Sequence, residues 1–101
     1  MLWDPNKDRP IVDEIGGCLL EAIDVLEKRG WCQRALANSN GNVCMAGAVQ
    51  ATNRPESVRD NTLKSLHKTL GMLISHWNDT PERTKDEVTA KLREIAYAQR
   101  S

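Results

Sequence analysis

Thr84-Lys85-Asp86-Glu87-Val88-Thr89-Ala90-Lys91-Leu92-Arg93-Glu94-Ile95 is the stretch that decides the fold. Threonine with glutamate three residues later is a capping box. The hydroxyl accepts from the third backbone N–H, and the carboxylate reaches back to the threonine's own N–H. Behind the cap, Val88, Leu92 and Ile95 recur at helical spacing on one face. Lys85, Asp86, Lys91, Arg93 and Glu94 occupy the remaining positions, as a solvated face requires. A helix that is apolar on one side needs other elements to cover that side, so the rest of the chain must supply them.

Upstream, Asn78-Asp79-Thr80-Pro81 closes a longer helix predicted over about 56–77. Its stripe is Val58, Leu63, Leu66, Leu70, Leu73, Ile74 and Trp77, and Gly71 either bends it or divides it in two. Asn53-Arg54-Pro55 separates it from a short helix over about 43–52, rich in the small residues Ala46, Gly47, Ala48 and Ala51. Asn38-Ser39-Asn40-Gly41-Asn42 is a turn, because Asn-Gly favours positive φ at both central positions. A short two-stranded β-ribbon near residues 32–45 is one reading of that turn, and a loop between helices is the other.

The first helix is expected to run from about residue 10 to Arg29, with Asp8 as cap and Pro10 in its first turn. Val12, Ile15, Leu19, Ala22, Ile23 and Leu26 form its apolar face, and Gly30 its left-handed stop. Gly16-Gly17 stands against this, since each glycine costs ~1 kcal/mol relative to alanine in a helix interior. Either the helix begins later or another backbone packs closely there, with Gly47-Ala48 as the expected neighbour. The fold class read from these patterns is all-α: about four helices in one small domain over 10–101, after an irregular lead-in over 1–9.

Composition bounds the function. The chain has 101 residues, enough for one modest core. Fourteen basic and fourteen acidic residues cancel, so the field that non-specific nucleic-acid binding needs is missing and no nucleic acid is expected as partner. No apolar run of about 18 residues exists, so no membrane association is expected. The start of the chain does not read as a secretion signal, and a cytoplasmic location is expected. Three cysteines without framework spacing are expected to be reduced thiols.

The residues able to carry chemistry are few. Trp31 and Trp77 are two of only four aromatics. They are expected to lie in one core, each burying about 150–250 Å²; the sharper reading makes them walls of a ligand pocket. Cys32 and Cys44 are expected to be inert thiols. The alternatives are a disulfide across the Asn-Gly turn, metal ligands with His67 and His76, or Cys32 as a nucleophile with His76 as base. The metal reading fails on spacing, so neither metal nor cofactor is expected. Asn78 and Asp79 read first as turn and cap residues, and otherwise as a polar rim beside the tryptophans. The candidate ligand site is therefore Trp31, Cys32, Cys44, Trp77, Asn78 and Asp79.

Taken in order, Gly30-Trp31-Cys32-Gln33, Asn40-Gly41 with Val43-Cys44-Met45-Ala46-Gly47-Ala48, Trp77-Asn78-Asp79, Arg83-Thr84 and Glu87-Val88 form an outline that spans roughly 12–96. This outline resembles an uncharacterised family of small proteins from actinobacteria and their phages. The resemblance implies a helical fold and such a source, and it implies no reaction. Three functions are carried forward. The first is a non-catalytic interaction protein of phage accessory or host-modulating type, its partner unidentified and self-association open to it. The second is a binder that sequesters a small ligand in the Trp/Cys site. The third is a cysteine-dependent enzyme.

Overall fold

A computed structural model describes residues 13–98. It contains five helices: α1 (Glu14–Arg29), α2 (Met45–Gln50), α3 (Glu56–Leu70), α4 (Ile74–Asn78) and α5 (Lys85–Ala98). The all-α class holds, with one helix more than expected. No helix among the described residues is long and apolar enough to cross a membrane.

α1 is the central element. It begins at Glu14 because the Asp13 carboxylate accepts from the Gly16 N–H at 2.8 Å and satisfies one of the unpaired donors of the first turn. The expected Asp8 cap, Pro10, Val12 and the irregular lead-in lie outside the described residues. Gly30, at φ 85°, ends the helix by donating its N–H to the Leu26 carbonyl at 2.8 Å. Along α1, Cys18, Leu19, Ala22, Ile23 and Leu26 are buried. α5 makes the most extensive contact with α1, and α3 and α2 cover its other sides. The capping box of α5 forms as read: the Glu87 N–H donates to Thr84 Oγ1 at 3.2 Å, and the Thr84 N–H to Glu87 Oε1 at 3.0 Å. Val88, Leu92 and Ile95 behind it are buried against α1. Each such aliphatic side chain contributes about 1.5–3 kcal/mol by leaving water.

Three local expectations change. The 56–77 helix divides at Gly71, which takes the left-handed conformation at φ 71° and stops α3; Met72-Leu73 then leads into α4. The β-ribbon is replaced by isolated pairings. Val43 faces Trp31 in parallel on one side and Ala37 antiparallel on the other, so no ladder of consecutive pairs develops. Its N–H donates to the Gly30 carbonyl and its carbonyl accepts from the Cys32 N–H, which fixes it as loop and delays α2 to Met45.

The third change concerns the glycines. Gly17 sits under the Arg54 guanidinium, whose atoms, from 3.1 Å, are the nearest to an added Cβ; the expected Gly47-Ala48 backbone is not among those nearest atoms. Arg54 in turn donates through Nε to Glu21 Oε1 at 3.0 Å, and Glu21 Oε2 accepts the Asn53 N–H. These bonds, led by the Asn53 backbone donor, hold the Glu21 carboxyl below its ordinary range. Gly47 does meet a backbone, but that of Leu36: an added Cβ would fall 2.2 Å from the Leu36 carbonyl oxygen.

Candidate functional site

The last residue of α4 organises the end of the molecule that α2, α4 and the 30–44 loop share. Asn78 is fully buried, and its side-chain amide makes four hydrogen bonds. Oδ1 accepts from Trp31 Nε1 at 2.7 Å and from the Met45 N–H at 3.0 Å. Nδ2 donates to the Cys32 carbonyl at 3.1 Å and to Asp79 Oδ1 at 3.0 Å. That is the full capacity of a primary amide, so the group is saturated within the chain. Gln33 Nε2 adds bonds to the Asn78 and Thr80 carbonyls, which tie the loop to the α4 terminus from a second point.

Asp79 follows as the C-cap of α4. Its Oδ1 accepts the Arg34 N–H at 2.9 Å, which holds Arg34 in a left-handed conformation at φ 69°. That backbone donor first, and the Asn78 amide second, lower the Asp79 carboxyl below its ordinary range.

The six residues expected as a ligand site are thus neighbours, but their polar groups are largely directed at one another. Trp31 and Trp77 are half-buried and pack on the edge of the common core. Trp77 carries the Arg83 guanidinium 3.7 Å above its ring, and Arg83 Nε donates to the Trp77 carbonyl at 3.0 Å. It lines a shallow surface depression of α5 with Arg83, Glu87, Ala90, Lys91 and Glu94. Cys32 Sγ lies 3.5 Å from the Ala35 and Asn42 carbonyls, and no hydrogen bond joins it to His76. Burial, with Cys44 and Asp79 nearby, pushes the Cys32 thiol up, away from the thiolate a nucleophile needs. Cys44 is the N-cap of α2, its sulfur accepting the Gly47 N–H at 3.3 Å. All three described cysteines are free. Among the described residues no three His, Cys, Asp or Glu side chains converge as metal ligands would.

A different feature stands open beside this cluster. Ala46, Leu63, Lys64, His67, Leu73, Ile74 and Ser75 line an apolar groove of about 460 Å³ between α3, α4 and the start of α2. A smaller groove of about 190 Å³ adjoins it, sharing Ala46 and Ser75 and reaching Arg34, Leu36, Cys44 and Asp79. Of the lining residues Leu36 is 54% exposed and Leu73 50%, and Met72, next to Leu73 in sequence, is 44% exposed. Of the apolar stripe that periodicity predicts, Leu63 and Ile74 pack against the core and also line the groove. The break at Gly71 turns Leu73 outward instead. The remaining signal is compositional: between Asp60 and Asp79 the chain has two lysines and two histidines and no carboxylate.

The class defined by this architecture is a small helical protein with a saturated polar knot and an open apolar groove. Residues 12–98 match the family described as Family of unknown function (DUF6197), and the chain belongs to that family. No curated protein and no solved structure matches the chain.

Proposed function

We propose that the chain is a non-catalytic interaction protein whose docking face is the groove between α3, α4 and the start of α2. The observation that carries this reading is the exposure of Leu73 in the apolar, open groove and of Leu36 in the smaller one beside it. Exposed aliphatic side chains grouped at a concavity are what a partner's anchor residues fill. The chemistry-bearing residues point the same way. The Asn78 amide is saturated, Cys44 is a helix cap and burial pushes the Cys32 thiol up, so these groups stabilise the wall of the groove. Three free thiols support a reducing compartment such as the cytoplasm for this interaction. A phage accessory or host-modulating role belongs to the proposal through the sequence resemblance.

The test is site-specific photo-crosslinking in the producing cell. A photoreactive residue replacing Leu73 should give one discrete protein adduct, and the same residue replacing the exposed Asp24 on α1 should give none. Filling the groove with Ala46→Arg should remove the Leu73 adduct while the fold, read by circular dichroism, persists. Absence of an adduct at Leu73, or equal adducts at both positions, would overturn the reading.

A further inference from the structure

The groove has a sign as well as a shape. The stretches that build it, 34–46 and 63–75, contain no carboxylate, and they sit inside longer carboxylate-free stretches, 28–55 and 61–78. Arg34 and Lys64 line the two grooves together with His67, and Lys68 follows on α3. The ion pairs among the described residues are Arg54–Glu21, Arg83–Glu87, Lys85–Glu27 and Lys91–Glu94, and they use none of these cations. The one carboxylate at the margin, Asp79, already accepts the Arg34 N–H and the Asn78 amide. Arg34 thus lies against the Asp79 carboxylate, whereas Lys64 and Lys68 enter none of the ion pairs among the described residues, so the apolar floor is edged on its α3 side by cations outside any ion pair.

From this juxtaposition we infer that the occupant of the groove is an acidic amphipathic helix of a partner protein, an inference that rests on the docking reading above. Anionic residues on the flank of such a helix would meet Lys64 and Lys68, one turn apart on α3, while its apolar face enters between Leu63, Leu73 and Ile74. Ala46 and Ser75 are small, so the floor admits close approach of another backbone. Among the described residues no strand presents an edge for an extended peptide to extend, and no aromatic side chain lines the groove to receive a proline-rich one. A second copy docked groove to groove would set cations against cations. A nucleic acid would find only Arg34 and Lys64 as lysine or arginine lining and no stacking surface, where strand-binding proteins offer many cations interleaved with aromatics.

The experiment pans a displayed library of random 16-residue peptides on the full chain and on two variants, Leu73→Glu and Lys64→Glu/Lys68→Glu. Enriched peptides should place apolar residues at i, i+3 or i+4, and i+7, with Asp and Glu in excess between them. A synthetic copy of the most enriched peptide should bind the double lysine variant about tenfold more weakly than the parent. Its affinity for the parent should fall as salt rises. It should not bind Leu73→Glu, whose fold is checked by circular dichroism; the lysine variant, altered only on the surface, keeps the test independent of that check. Enriched peptides that are basic, uncharged or without helical periodicity overturn the inference and leave the docking face standing. A single-stranded or duplex oligonucleotide bound more tightly than the best peptide overturns it as well. If no peptide is enriched while the Leu73 crosslink forms, the helix is the wrong occupant; if the crosslink is also absent, the docking reading falls with it.

Discussion

Replacing Asn78 by alanine should be among the most damaging single changes available in this chain. The substitution strands the Met45 N–H, which is buried, and the Trp31 indole N–H and Cys32 carbonyl, which are half-buried. An orphaned buried donor or acceptor costs about 1–3 kcal/mol, and water can reach the half-buried pair and reduce their share. The combined loss is roughly 3–5 kcal/mol, against a total stability of about 5–15 kcal/mol for a domain of this kind. Each kcal/mol lowers the melting temperature of a domain this size by about 4–8 °C, so a drop of roughly 15–30 °C is expected by circular dichroism.

Asn78→Asp sharpens the test, because it keeps the volume and the accepting side. It places an acceptor where Nδ2 now donates to the Cys32 carbonyl and Asp79 Oδ1. At neutral pH its loss should equal or exceed that of the alanine variant, since it buries a charge beside another carboxylate. Such a carboxyl has a folded pKa above its unfolded one, so stability is regained as pH falls through the folded value and one donor is restored. If both variants melt within about 5 °C of the parent, the amide does not hold the 30–44 loop.

The glycines give a paired prediction. Gly47→Ala should cost at least ~2–4 kcal/mol in urea unfolding, because its Cβ would meet the Leu36 carbonyl at 2.2 Å. Gly17→Ala should change stability by less than about 1 kcal/mol, since the atom opposing it is the movable end of Arg54 and alanine is the better helix former. Acid unfolding should depend on Asp79 and Glu21. Both folded pKa values are depressed, so their contribution is present above the ordinary values of 3.8 and 4.5 and is lost as pH falls through the lower folded ones. Asp79→Asn should flatten that acid limb in a melting series from pH 5 to 2. Chelator and reductant, each added to a thermal melt, should leave the midpoint unchanged; a clear drop under either would restore a metal or disulfide role to Cys32 and Cys44.

What the sequence disclosed was what its neighbours in sequence determine. The Thr84/Glu87 box and the Gly30 stop are local chemistry, settled within a few residues, and they were readable as such. Asn78 was readable only as a turn former, because its partners Trp31, Cys32 and Met45 lie 33 to 47 positions away and nothing beside it in the sequence names them. The small residues of α2 did signal a close backbone approach, but not its source: a loop carbonyl at Leu36 has no sequence pattern to find. Leu73 was misassigned for a related reason. Its apolar character fits a stripe, and the stripe faces inward only if the helix is continuous, which depended on how Gly71 resolved.

The Asn78 amide also sets how this end of the protein opens and closes with time. Segment 30–44 has few buried side chains of its own, Val43 and Cys44 among them, and its attachment to the end of α4 runs through the side chains of Asn78, Gln33 and Asp79. Local openings in proteins occur in cooperative units. Release of α4 should therefore free the Trp31 indole proton, the Met45 amide and the Arg34 amide in one event. In hydrogen–deuterium exchange these three protons should share a single protection factor, lower than that of the α1 and α5 interior, and a mutation that weakens any one bond should lower all three together.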